Sequence, residues 1–172
     1  MNTSFLYRSL TLWQGFTTAL DHTRPLAALL ARAYMAQVFF LAGLTKIRDW
    51  DTTLLLFTEE YQVPVLSPEV AAVMGTAGEL VLPVLLLFGL AGRFAALGLS
   101  VVNAVAVLSL SEIAPAALQQ HITWGVLLAA LAIYGVGKWS IDCAWLKPRL
   151  ERWQAPHDTR QARTNHPIDP VQ

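Results

Sequence analysis

Three polar residues stand where polarity is expensive. Arg32, Glu79 and Asn103 each interrupt a stretch of otherwise apolar sequence. A charge left alone at the centre of a bilayer costs roughly 2.5 to more than 10 kcal/mol, depending on the reference state. The three residues therefore need partners. A guanidinium offers a fork of donors that matches a carboxylate, and an amide can complete the remaining hydrogen bonds. If the helices that carry them run antiparallel, all three fall within about 5–8 Å of one another in depth at 1.5 Å per residue. The expectation is that Arg32 and Glu79 face the interior and touch, with Asn103 orienting them. Two readings of such a cluster stand side by side. One is a buried ion pair that fixes helix register. The other is a site for an anionic or quinone-like ligand, or for a proton.

A second constellation is expected at the mouth of the molecule. Lys46 closes the first apolar stretch and His121 opens the fourth, with Glu59, Glu60 and Tyr61 between them in sequence. Lys46, His121 and Glu60 would form an outer polar vestibule; the bland alternative is a snorkelling lysine among interfacial polar residues. No spacing of Cys, His and carboxylates matches a metal site. His121 is the one histidine near a span, whereas a bis-histidine haem needs two. Met35 and Met74 read as packing residues rather than copper ligands. The single cysteine, Cys143, can form no disulfide within the chain.

The elements that position these residues are apolar runs at 25–44, 70–90, 94–110 and 122–137. Each approaches the roughly 20 residues that cross about 30 Å of hydrocarbon, and each lacks the polar stripe of a soluble helix. The expected fold is all-α: a polytopic, four-transmembrane-helix bundle. Residues 52–61 are too few to span and too apolar for a free loop, which predicts a short interfacial helix in the first outer loop. Pro25 suits the first turn of span one. Pro83 removes the backbone bond to the carbonyl of residue 79. Residues 89–93 form a tight reversal, so spans two and three are antiparallel neighbours. Residues 6–20 read as a separate helix on the interface, with a disordered arm as the alternative, and 149–172 as a disordered tail. The organisation is then a segment 1–24, a membrane domain 25–140 and a tail 141–172.

Composition agrees. Of 172 residues, 55% are hydrophobic and 14% charged, against about 25% charged in soluble domains. Formal net charge is zero, and neither nucleic-acid binding nor a nucleotide-binding glycine pattern is indicated. Basic residues gather on one side: Arg8, Arg24, Arg93, Lys138, Lys147 and those beyond. Lys46 and Arg48 hold the other side, so both termini are expected in the cytoplasm.

Two motifs carry a family resemblance. Arg32 with Phe39-Phe40-Leu41-Ala42-Gly43-Leu44-Thr45-Lys46 resembles the first-span signature of the DoxX family. Gly78-Glu79-Leu80-Val81-Leu82-Pro83, followed at Arg93-Phe94-Ala95-Ala96-Leu97, resembles its second. The resemblance covers roughly residues 27–140 and implies a four-helix protein of the bacterial inner membrane, linked to redox chemistry. Its family positions fall on Arg32, Lys46 and Glu79. Residues 49–64 also resemble DoxX-like members found with copper-responsive modified-peptide systems.

The functional expectation is an accessory or quinone-linked subunit in a redox or metal-stress pathway, more a partner than an enzyme on its own. No cofactor is expected to be bound covalently, and a quinone is the candidate ligand. A redox or metal-handling protein, or a second copy of the chain, would be the partner beside the lipid bilayer. The alternatives are a non-catalytic scaffold for another protein and a small-molecule transporter.

Overall fold

The computed structural model describes residues 3–137 and 139–146. Five α-helices run in order: α1 (Thr3–Arg48), α2 (Trp50–Glu59), α3 (Pro68–Phe88), α4 (Gly92–Ser109) and α5 (Pro115–Tyr134), followed by a π-helical turn at Asp142–Leu146. Four of them, all but α2, are long and apolar enough to cross a membrane. The all-α, four-helix expectation is met, and α2 is the short loop helix read at 52–61.

Local chemistry explains the boundaries. Asp49 caps α2: one carboxylate oxygen accepts from the Thr52 amide (3.1 Å) and the other from the Thr52 hydroxyl (2.7 Å). Ser67 caps α3 and Pro68 takes its first position, where a missing N–H costs little. Gly89 ends α3 in the left-handed region (φ 64°), the usual helix stop. Ala91, also left-handed, turns the chain into α4, so α3 and α4 are antiparallel neighbours as expected.

Pro25 departs from expectation. It does not open a span but lies inside a continuous 46-residue α1. Thr17, Thr18 and Thr23 donate to carbonyls one turn back and Arg24 pairs with Asp21 at 2.7 Å, so helical contacts hold the chain up to the proline. The Asp21 carbonyl that Pro25 cannot serve belongs to an exposed residue, which lowers the cost of the break. The separate helix expected at 6–20 is thus the first part of α1, and residues 9–24 are exposed almost throughout. The tail expected at 149–172 lies outside the described residues.

α3 packs between α1 and α4, α5 packs on α4 and touches α1, and α2 lies on α3. Met35, Phe39, Leu86, Leu99, Leu128 and Leu131 form the main core. A satellite cluster of Phe57, Ala71 and Ala72, with Trp50 and Tyr61 against it, glues α2 to α3. The bundle therefore has a loop end, bearing α2 and residues 60–67 and 110–114, and a turn end, bearing the α3–α4 turn and the segment after α5.

Candidate functional site

Lys46 and Glu79 form an ion pair between α1 and α3. Gly43, one turn before Lys46, lets α3 come close: a Cβ there would lie 2.9 Å from Leu80 Cγ and 3.1 Å from Glu79 Cβ. Helix side chains lean toward their own N-terminus. Lys46 therefore leans from the loop end into the bundle, and Glu79, on an antiparallel helix, leans out to meet it. Arg32, on the same helix as Lys46, leans likewise toward the turn end and so away from Glu79.

That direction overturns the expected Arg32–Glu79 contact. Arg32 is buried, but its Nη1 donates to the Val136 carbonyl (2.9 Å) and its Nη2 to the Trp139 carbonyl (2.8 Å). It sits four turns, roughly 21 Å, from Lys46 along α1. Beside it, the Asp142 carboxylate accepts from the Ala91 and Gly92 amides, both at 2.9 Å. Arg32 and Asp142 together clamp the segment after α5 to α1 and to the α3–α4 turn. Burial lets these bonds act at low dielectric, where a carbonyl pair can hold a guanidinium.

Asn103 has a third set of partners. Its Oδ1 lies 2.8 Å from His121 Nδ1, and its Nδ2 donates to the His121 carbonyl at 3.0 Å. This reciprocal clasp joins α4 to α5. His121 also sets its ring edge-on against Trp124, whose indole donates to the Tyr34 hydroxyl at 3.2 Å. Trp124 packs against the main core, while Trp139 and Trp145 are exposed. The three intramembrane polar residues are all buried, yet they serve three separate junctions. Of the expected vestibule, Lys46 joins Glu79, His121 joins Asn103, and Glu60 stays exposed at the end of α2.

A cavity of about 470 Å³ opens beside the ion pair. Lys46 and Glu79 supply its charged wall, Gly75 and Met74 of α3 and Val101, Val102 and Val105 of α4 its apolar sides, and Tyr61, Val63 and Leu66 its cover. The cover is stitched in place by the Gln62 amide, which donates to the Ser109 carbonyl at 2.8 Å, and by a bridge between Tyr61 and Leu110. Burial pushes the Tyr61 phenol above its ordinary range, with the negative charges of Glu79 and then Glu60 adding to the effect. One turn from Glu79 toward the loop end, the buried Thr76 hydroxyl has no hydrogen-bond partner among the described residues. Met35 is core, whereas Met74 is 59% exposed at the cavity rim.

The Lys46–Glu79 pairing and the cavity-lining role of Met74, Val101 and Val105 were not expected from the residues. The signal for the pair was present. Arg32, Phe39, Gly43 and Lys46 repeat at helical spacing on one face of α1, and the lean of the side chains selects Lys46 over Arg32 for Glu79. No local signal marks the cavity, which depends on how far apart α3 and α4 stand.

Four apolar helices around an interior ion pair, with a loop helix over one end, define a multi-pass membrane bundle with a polar site set within its hydrophobic part. The sequence profile of the DoxX family matches residues 27–112, which takes in α2, α3, α4 and the part of α1 that carries Arg32 and Lys46. The chain belongs to the DoxX family. No curated protein and no solved structure matches it.

Proposed function

We propose that this DoxX protein holds a small quinone-like molecule in the cavity beside Lys46 and Glu79, as an accessory or quinone-linked subunit of a redox or metal-stress pathway in the bacterial inner membrane. The observation that carries the reading is a paired lysine and carboxylate at the wall of an otherwise apolar cavity of about 470 Å³. Ligand sites are commonly apolar hollows of this scale with a few convergent polar groups. The Lys46 ammonium has three donors, of which Glu79 engages one, so a ligand oxygen can take another. Glu79 balances the charge and can exchange a proton, and the Tyr61 phenol offers a further donor at the cover. Reducing a quinone to a quinol takes two electrons and two protons. In this reading a redox protein partner supplies the electrons, and Glu79 and Tyr61 lie on the route of the protons.

The test is binding of decylubiquinone to the protein in lipid nanodiscs, followed by quenching of tryptophan fluorescence. Saturable binding is expected, weakened about tenfold by Lys46→Met or Glu79→Gln through loss of a charge-assisted hydrogen bond. Binding that is absent, or unchanged in both variants, sinks the reading. The scaffold reading has one observation in its favour: Leu12, Trp13 and Phe16 on the first part of α1 are 75%, 63% and 57% exposed. It expects function to survive both cavity variants and to be lost when residues 3–20 are removed.

A further inference from the structure

We infer that the cavity is loaded sideways from the hydrocarbon, through a gap between α3 and α4, by a molecule whose long apolar tail stays in the gap while its head reaches Lys46. This rests on the quinone-like reading above and adds to it the route and the class of ligand: lipid-soluble and tailed, rather than water-soluble.

The gap follows from where α3 and α4 do and do not touch. At the level of Glu79, and from there toward the turn end, they are knitted through glycines. A Cβ at Gly98 would lie 2.8 Å from Leu82 Cδ1, and one at Gly78 would lie 3.2 Å from Val102 Cγ2. On the loop-end side they part, and the cavity lies between them with Gly75 on one wall and Ala106 on the other. Three residues that line this part are also open to the surroundings: Met74 is 59% exposed, Val101 62% and Val105 36%. A side chain that both lines a cavity and faces outward marks the rim of an opening. These three rim residues lie on helices apolar enough to span a membrane, where the surrounding medium is lipid. Above, the strap from Tyr61 to Leu66 covers the cavity and is bonded to Ser109. An apolar rim and a covered top suit a greasy tail and discriminate against a hydrated solute, whose polar groups would lose water without new partners.

The probes are decylubiquinone and the tail-less dimethoxy-methyl-benzoquinone with the same head, each titrated against the protein in nanodiscs with binding expressed per bilayer concentration. Wild type is expected to bind the tailed quinone about tenfold tighter, since its methylenes add packing contacts along the gap. Val101→Trp fills the rim from α4 and Met74→Trp from α3. Both are expected to weaken the tailed quinone about tenfold while leaving the tail-less one within about twofold. Leu97→Trp, one turn away on α4 and 57% exposed, is the matched control and should change neither. All three positions face outward, so a bulky ring there does not invade the core, and an unchanged melting profile checks this. If the tail-less quinone binds equally well, or if both rim variants leave tailed binding intact, sideways loading is overturned while the Lys46–Glu79 site stands. If wild type binds neither quinone, the site reading itself is overturned and this inference falls with it.

Discussion

Lys46 and Glu79 show how a single charge pair survives among apolar helices. Glu79 is 7% exposed, and the pair is made between helices rather than at a surface. Removing one partner of such a pair strands the other, at a cost of about 3 kcal/mol, whereas replacing both by apolar residues restores packing without an orphan charge. Glu79→Leu or Lys46→Met alone should therefore destabilise more than the Lys46→Met/Glu79→Leu double variant, as read by thermal unfolding in detergent. Equal losses that simply add would show that the two charges are not coupled. Tyr61 gives a pH prediction. Its folded-state pKa is raised, so its contribution to stability is complete below the unfolded phenol value of about 10 and is lost as pH climbs through the folded value. A spectrophotometric titration should show one tyrosine ionising late, and Tyr61→Phe should remove that step. A late step that persists in Tyr61→Phe would assign it elsewhere.

Helix α1 carries two junctions on one face. Near the loop end, Gly43 brings α3 against it; near the turn end, Arg32 reaches the carbonyls of Val136 and Trp139. Gly43→Val would push Leu80 and Glu79 away. It is expected to cost about 1–3 kcal/mol, as overpacking does, and to weaken quinone binding in parallel. A variant with wild-type melting and wild-type binding would show that this close approach is dispensable. Arg32→Lys keeps the charge but loses the fork that spans two carbonyls. The expected outcome is faster proteolysis in the segment after α5 with quinone binding unchanged, since the clamp lies at the opposite end from the cavity. Parallel loss of binding would mean that the two ends are coupled. Asp49 acts at the same scale: its carboxyl is held below the usual range by the Thr52 hydroxyl and amide, so the cap on α2 works above that range and fades as pH falls through the lowered value.

For the whole molecule, four helices are long and apolar enough to cross a membrane; four crossings would return the chain to the side on which it starts, which the expected topology puts in the cytoplasm. Cys143, at the turn end, is expected to react with a membrane-impermeant maleimide in inverted vesicles and not in intact cells stripped of their outer membrane. Val65→Cys in a Cys143→Ser background should behave in the opposite way, since Val65 is fully exposed on the strap at the loop end. Labelling from the same side at both positions would refute the four-crossing topology.

Residue order alone set the solvent of this protein and the number of its long helices. Hydrophobic runs of bilayer length leave few other ways to satisfy the backbone, and the capping residues Asp49, Ser67 and Gly89 act within a turn of their own position. It also determined that Arg32, Glu79 and Asn103 are buried, because a polar group inside an apolar helix must turn inward. What it left to the tertiary structure was who meets whom. Arg32 was the expected mate of Glu79 and Lys46 was assigned to the vestibule, although both cations lie on one face of α1. The register of α3 against α1, set by Gly43 and by the lean of each side chain, gave the carboxylate to Lys46. The cavity was likewise decided only in three dimensions, where α3 and α4 touch through their glycines at one end and separate at the other. A void is a property of the distance between elements, and no residue carries that distance in its own identity.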